Sequence, residues 1–305
     1  MKLSNTSYTK LLNICKTKLK DKILLVNEMP VVNIEHNRDY IGSLNIHLVN
    51  HCDLNCAGCD HFSPLSSEWY ENINNFNMLI NRMSELFSNK IKQISLLGGE
   101  PLLHPDIIEF CRVVRIYFPN CELLIKTNGL ILSNKEDSFY YNISKYNPTI
   151  LISEYPVNID IDNIKNMCNK HNVRLTLRNR SEFTHLNLTE NNNLNKNKYY
   201  DCTYSGVVGN KCYYYPCTQL NTNGDFYFCT IPANICFFNN YFNTNFEVVE
   251  NDDYVNIYKI EDANIILKKL EQPMNFCGYC YNNINETNYN WKISNNNKFE
   301  WLKND

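Results

Sequence analysis

The sequence predicts an α/β fold: a partial (β/α)6 TIM-like barrel followed by a small cysteine-rich domain built from a β-hairpin and helix. Three observations carry that prediction. Strand-like and helix-like segments alternate between residues 44 and 180, which implies parallel strands joined by helical crossovers. Residues suited to chemistry fall just after those strands, where barrels and open α/β sheets place their sites. Seven of the 14 cysteines lie beyond residue 200, where the alternation stops.

Residues 1–43 read as a polar, partly helical lead-in, and the core barrel takes residues 44–186. Its first strand is 44–50 (LNIHLVN), short and rich in Leu, Ile and Val. Residues 74–89 place Phe76, Leu79, Ile80, Met83, Leu86 and Phe87 near helical spacing. The second strand, 92–97 (KQISLL), ends in Gly98-Gly99. Pro105-Asp106 opens a helix that runs through about Tyr117. The third strand, 121–126 (CELLIK), runs into Thr127-Asn128-Gly129, and a helix around 136–146 follows. The fourth strand, 149–154 (TILISE), stops at Tyr155-Pro156. Residues 160–171 read as helical and 173–178 (VRLTLR) as the fifth strand. The polar, low-complexity run at 187–200 reads as a linker. Residues 201–305 read as a second domain organised around metal.

Apolar residues make up 44% of the 305, enough for a proper core, and 29 basic against 32 acidic residues leave a net charge of −3. That balance argues against a dedicated nucleic-acid binder, which shows a basic face. No stretch reaches the roughly 18 apolar residues of a membrane span, and the first thirty residues carry no secretory pattern. In such a chain, expected to be cytoplasmic and reduced, many cysteines point to metal or cluster binding rather than a disulfide framework. Cys15, Cys111, Cys121 and Cys168 fall in helices, strands or the lead-in and read as buried small hydrophobes.

Residues 51–62 read HCDLNCAGCDHF, spacing Cys52-x3-Cys56-x2-Cys59. Three thiolates within eight residues can wrap one face of an iron–sulfur cluster and leave one iron open, as a catalytic metal keeps a vacant position. A structural zinc site would need a fourth ligand, which His51 or His61 could supply. Residues 98–101 read GGEP. Glycines there allow close backbone approach to a ligand, and the carboxylate of Glu100 can bind an ammonium.

Cys-x3-Cys-x2-Cys after the first strand, Gly-Gly-Glu-Pro after the second and Thr-Asn-Gly after the third together resemble the radical S-adenosylmethionine (SAM) superfamily. The resemblance implies that Cys52, Cys56 and Cys59 bind a catalytic [4Fe–4S] cluster whose open iron takes the amino and carboxylate groups of SAM. It implies contacts from Gly98, Gly99 and Glu100 to that amino group, and from Thr127, Asn128 and Ser153 to the ribose or carboxylate. The family has an aromatic residue just before the third cysteine, where this chain has Gly58. An adenine contact is therefore expected from His61 or Phe62.

Residues 212–229 (CYYYPCTQLNTNGDFYFC) contain a hairpin pattern, with a turn at Asn221 to Gly224, and residues 277–280 read CGYC. On chemistry alone, zinc and iron–sulfur remain equally open for these cysteines. The segment resembles the short Twitch form of the SPASM-type extension of radical SAM enzymes. That resemblance implies one auxiliary [4Fe–4S] cluster, with Cys217, Cys229, Cys277 and Cys280 as preferred ligands and Cys212 or Cys202 as rivals for the first place.

The implied chemistry is reductive cleavage of SAM to a 5′-deoxyadenosyl radical that abstracts a hydrogen atom from the substrate. The expected substrate is a polar small molecule, sugar-like or aminocyclitol-like, undergoing dehydrogenation or epimerisation. Modification of a peptide or protein is the alternative. In an epimerisation, Cys202, Cys212 or Cys236 could return the hydrogen. The resemblance also implies an electron donor such as flavodoxin or ferredoxin. Arg178 and Arg180, at the end of the fifth strand, could bind a carboxylate or phosphate.

Overall fold

The computed structural model describes residues 23–26, 29–32, 39–184, 187–193, 195–196, 202, 207–208, 211–212, 218–281 and 288–303. The strands are β1 (Ile23–Val26), β2 (Met29–Val32), β3 (Ile41–Val49), β4 (Ile91–Gly98), β5 (Glu122–Thr127), β6 (Thr149–Glu154) and β7 (Arg174–Asn179), then β8 (Glu182–Thr184), β9 (Val207–Val208), β10 (Lys211–Cys212), β11 (Thr218–Leu220), β12 (Asp225–Tyr227), β13 (Tyr254–Asn256) and β14 (Asn288–Asn290). The α-helices are α1 (Ile73–Phe87), α2 (Ile107–Tyr117), α3 (Asp137–Ser144), α4 (Ile161–Lys170), α5 (Thr230–Phe242) and α6 (Asn264–Lys269).

One eight-stranded sheet dominates, in the order β13-β12-β11-β3-β4-β5-β6-β7. β3 to β7 are parallel and linked by α1 to α4, as the alternating pattern predicts. β3 is buried at all nine positions, as a central parallel strand covered on both faces must be. α1 starts where the Asn72 side chain accepts the backbone N–H groups of Asn74 and Asn75. Its Phe76, Leu79, Ile80, Met83 and Phe87 turn one face inward. Phe76 meets Phe110 of α2 edge-on, ring centroids 4.7 Å apart. Truncating such a fully buried phenylalanine to alanine costs about 3–5 kcal/mol.

The β-hairpin of the cysteine-rich region is part of the barrel sheet. β11 runs parallel to β3, pairing Thr218 with Leu44, Gln219 with Asn45 and Leu220 with Ile46. It supplies a sixth parallel strand, and β12 and β13 continue antiparallel from it. α5 is tied to this hairpin by the buried Gln219 carboxamide, which accepts from the Thr230 hydroxyl (2.6 Å) and the Asn234 amide (2.9 Å).

Within the run read as a linker, Leu188 is the buried position among the described residues, while Glu190, Asn191, Asn193, Asn195 and Lys196 are exposed. Leu188 is fully buried; its N–H donates to Trp301 O (2.9 Å), its carbonyl accepts from Lys303 N (2.9 Å), and it bridges Cys280 and Leu302. The polar composition around it concealed one apolar side chain with a core position to fill. Among the described residues no helix is long and apolar enough to cross a membrane.

Candidate active site

The cysteine loop begins where β3 ends and is held against the end of β4. Gly99 N donates to Val49 O (2.8 Å) and Glu100 N to His51 O (3.1 Å). A Cβ at Gly98 would lie 2.1 Å from Val49 O, and one at Gly99 would lie 2.0 Å from His51 O. These glycines are therefore required for backbone to meet backbone. Gly98 also has φ +153°, which L side chains rarely adopt.

Glu100 is 1% exposed and joins two strand ends. Its carboxylate accepts from Leu102 N (3.0 Å), Thr127 Oγ1 (2.8 Å) and Asn128 N (2.9 Å). Burial nevertheless outweighs these donors and pushes its carboxyl up to about 7. Thr127 Oγ1 accepts from Gly129 N (3.0 Å), closing the turn after β5. Asn128 then reaches the cysteine loop: its amide donates to Asp53 Oδ1 (2.6 Å) and lies 3.7 Å from Cys52 Sγ. Ser153 stands near the end of β6, paired with Arg178 of β7.

Cys52, Cys56 and Cys59 are free, half-buried thiols. Burial is the largest influence on each and raises all three; Cys56 reaches about 12 and Cys59 about 11. Cys59 also acts on both Cys52 and Cys56 as a neighbouring charge, so the three share one electrostatic neighbourhood. Desolvated thiols of this kind become good thiolates when a bound cation supplies the missing positive charge. Among the described residues no three Cys, His, Asp or Glu side chains converge on a single-ion position. A multi-iron cluster gives each thiolate its own iron and does not require such convergence.

The two residues from either of which the adenine contact is expected both pack against neighbouring rings. Phe62 is fully buried, its ring packed against Phe238 (5.7 Å) and Trp301 (6.1 Å), so that face is spent on the core. His61 stacks on His47, centroids 4.6 Å apart and planes 17° from parallel. Burial and the neighbouring His61 lower the His47 pKa, which keeps its ring neutral.

The C-terminal segment, which the sequence did not mark as functional, covers the loop. Trp291 Nε1 donates to Cys56 Sγ (3.0 Å), and Trp301 Nε1 donates to Cys59 O (2.8 Å). Ala57 N donates to Lys292 O (3.0 Å), Ser294 N donates to Asn55 O (2.7 Å), and Cys56 bridges Ile293. Tyr155, just past β6, sets its ring 5.9 Å from Trp291. Asp53, Trp291 and Trp301 carry no spacing signal; beside a cysteine triplet, only the position of Asp53 could have drawn notice.

A second thiol group includes Cys229, the residue just before α5. Cys229 and Cys277 are buried and Cys280 half-buried. Burial is again the largest influence raising each, and Cys202 contributes to all three as a neighbouring charge. Cys202 is thus near these three thiols among the described residues; Cys217, Cys229, Cys277 and Cys280 are the ligands the sequence favours. Cys217 lies outside the described residues, and the backbone of Cys212 belongs to a separate sheet, paired with Val32 and Val207. Cys236 is exposed on α5, and Cys111, Cys121 and Cys168 are buried as expected.

Residues 46–179 match the family model described as Radical SAM superfamily. GTP 3′,8-cyclase of Nautilia profundicola is 30% identical over 104 residues, 34% of this chain and 32% of the relative. The enzyme of the same name from Campylobacter curvus is 30% identical over 89 residues, 29% of this chain and 28% of the relative. The chain thus spans about a third of the length of these curated relatives. In fold it is similar to BtrN, solved in complex with AdoMet and 2-DOIA, with TM-score 0.52 and 12% identity over 79% of this chain and 93% of that one.

Proposed function

We propose, on the match of residues 46–179 to the Radical SAM superfamily model, that Cys52, Cys56 and Cys59 hold a [4Fe–4S] cluster and that the enzyme uses SAM to oxidise or epimerise a polar small molecule. The observation that carries this reading is the single hydrogen-bonded unit made by three strand ends. Glu100, after β4, holds Thr127 and Asn128 after β5, and Asn128 holds Asp53 beside Cys52. When bound, the cluster and SAM would supply a 5′-deoxyadenosyl radical able to take hydrogen from an unactivated carbon.

The chain's own residues would bind and orient. With its carboxylate engaged by three donors, Glu100 would fix the turns that frame the SAM site. The backbone of Gly98 and Gly99, together with Thr127, Asn128 and Ser153, would then line that site. The packed cover of residues 291–301 would keep water from the loop.

A polar substrate is supported by the inner face of the sheet. Asn45 of β3, Ser95 of β4 and Lys126 of β5 share that face, and Lys126 Nζ donates to Asn45 Oδ1 (2.9 Å). Ser95 Oγ is fully buried without a hydrogen-bond partner, as is His47 Nε2. Polar groups so placed favour a hydroxyl- or amine-bearing ligand over an apolar one. The grouping of Cys202, Cys229, Cys277 and Cys280 supports an auxiliary cluster, and a flavodoxin- or ferredoxin-like protein would provide electrons.

The test is anaerobic incubation of the reconstituted enzyme with SAM, a reductant and a panel of sugars, aminocyclitols and peptides. The expected result is 5′-deoxyadenosine formed together with a product two mass units lighter than a carbohydrate-like substrate, or isomeric with it. Turnover confined to peptides would overturn the substrate class.

A further inference from the structure

We propose that Trp291 sets the reduction potential of the cluster held by Cys56, through the hydrogen bond from its indole N–H to the Cys56 sulfur. This rests on the reading of Cys56 as a cluster ligand. Nε1 lies 3.0 Å from Sγ, short for a donor to sulfur. The ring is held by more than that contact: its own N–H of the backbone donates to Ser181 O (2.8 Å), Lys292 O accepts from Ala57 N (3.0 Å), and Tyr155 packs beside it.

A donor aimed at a coordinating sulfur stabilises whichever state carries more negative charge there. Reduction adds an electron to the cluster, so the hydrogen bond favours the reduced form and raises the potential. Electron entry must precede SAM cleavage, so a residue far along the chain would govern how readily the first step begins. Trp291 is a positioning residue in this sense: it touches the ligand sulfur rather than the reacting atoms. Trp301 is an internal comparison. Its N–H goes to the Cys59 carbonyl, not to a sulfur, and its role is to fasten the loop.

The experiment compares wild type, Trp291→Phe, and protein with 3-benzothienylalanine at position 291, which keeps the bicyclic ring and deletes only the N–H. Iron and sulfide are counted in each reconstituted holoenzyme. The potential is then measured by redox titration of the EPR signal that changes on adding SAM, which isolates the SAM-binding cluster from any second one. The expected result is unchanged iron content with a lowered potential in both variants. At a fixed poise the reduced-to-oxidised ratio should fall about tenfold, equal to about 59 mV for one electron. An unmoved potential in the benzothienyl protein would overturn the inference, as would a loss of iron in Trp291→Phe with no change of potential in the isostere. Wild type without iron would instead overturn the reading on which the inference rests.

Discussion

The Thr127 hydroxyl donates to the Glu100 carboxylate at 2.8 Å. Through that bond the ends of β4 and β5 share one buried anchor, and Asn128 extends it to the cysteine loop. Glu100→Gln turns one acceptor oxygen into a donor and sets it against a backbone N–H. A buried group left unsatisfied costs about 1–3 kcal/mol, and urea unfolding should register that loss.

The same residue gives a pH dependence with a definite sign. Burial raises the Glu100 carboxyl from 4.5 to about 7, so between those values the folded chain binds the proton more tightly than the unfolded one. Its contribution is fully present below about 4.5 and is lost as pH rises to about 7. Measured by urea unfolding across that window, wild type should lose stability relative to Glu100→Gln. A constant difference would contradict the assignment.

Gly99, the residue after β4, lies against the backbone of the cysteine loop. A methyl group there would meet His51 O at 2.0 Å, and backbone cannot yield as a flexible side chain can. Gly99→Ala should destabilise the protein by about 3 kcal/mol or more and lower the iron bound on reconstitution. Thermal unfolding and iron assay check the two effects separately.

Leu188 distinguishes a run anchored at one buried side chain from a free linker. Leu188→Ala should cost about 2–5 kcal/mol, whereas Asn191→Ala, at an exposed position three residues on, should stay within about 0.5 kcal/mol. Equal small effects would return this run to the linker class.

For the second thiol group, Cys229→Ala combined with Cys277→Ala should remove about half the iron, about four of eight atoms for two four-iron clusters. Cys202→Ala should weaken the same site. Full iron retention in the double variant would remove the auxiliary cluster from the account.

The barrel was legible because its determinants are local. Phe76, Leu79, Ile80, Met83 and Phe87 fall on one helical face, and the predicted ranges for β3 to β7 differ from those observed by a few residues at most. The cysteine loop, Glu100 and Asn128 were legible as motifs, since their spacing is fixed by the turns after each strand. What could not be read is non-local. The pairing of Thr218 with Leu44 and the approach of Trp291 to Cys56 join residues distant in sequence, and no periodicity encodes them. The packing of Phe62 against Phe238 and Trp301 is of the same non-local kind. Glycines 98 and 99 are legible as positions of close backbone approach to a ligand; the approach of Val49 and His51 that they also permit is non-local and has no sequence signal.

The most direct measurement is 5′-deoxyadenosine released by the anaerobically reconstituted, reduced protein in the presence of SAM, compared with Cys52→Ala, Cys56→Ala and Cys59→Ala. The account predicts steady formation by wild type and none above background by any of the three variants. Wild type that forms none despite a full iron complement, or a Cys56→Ala protein that forms as much as wild type, would contradict it.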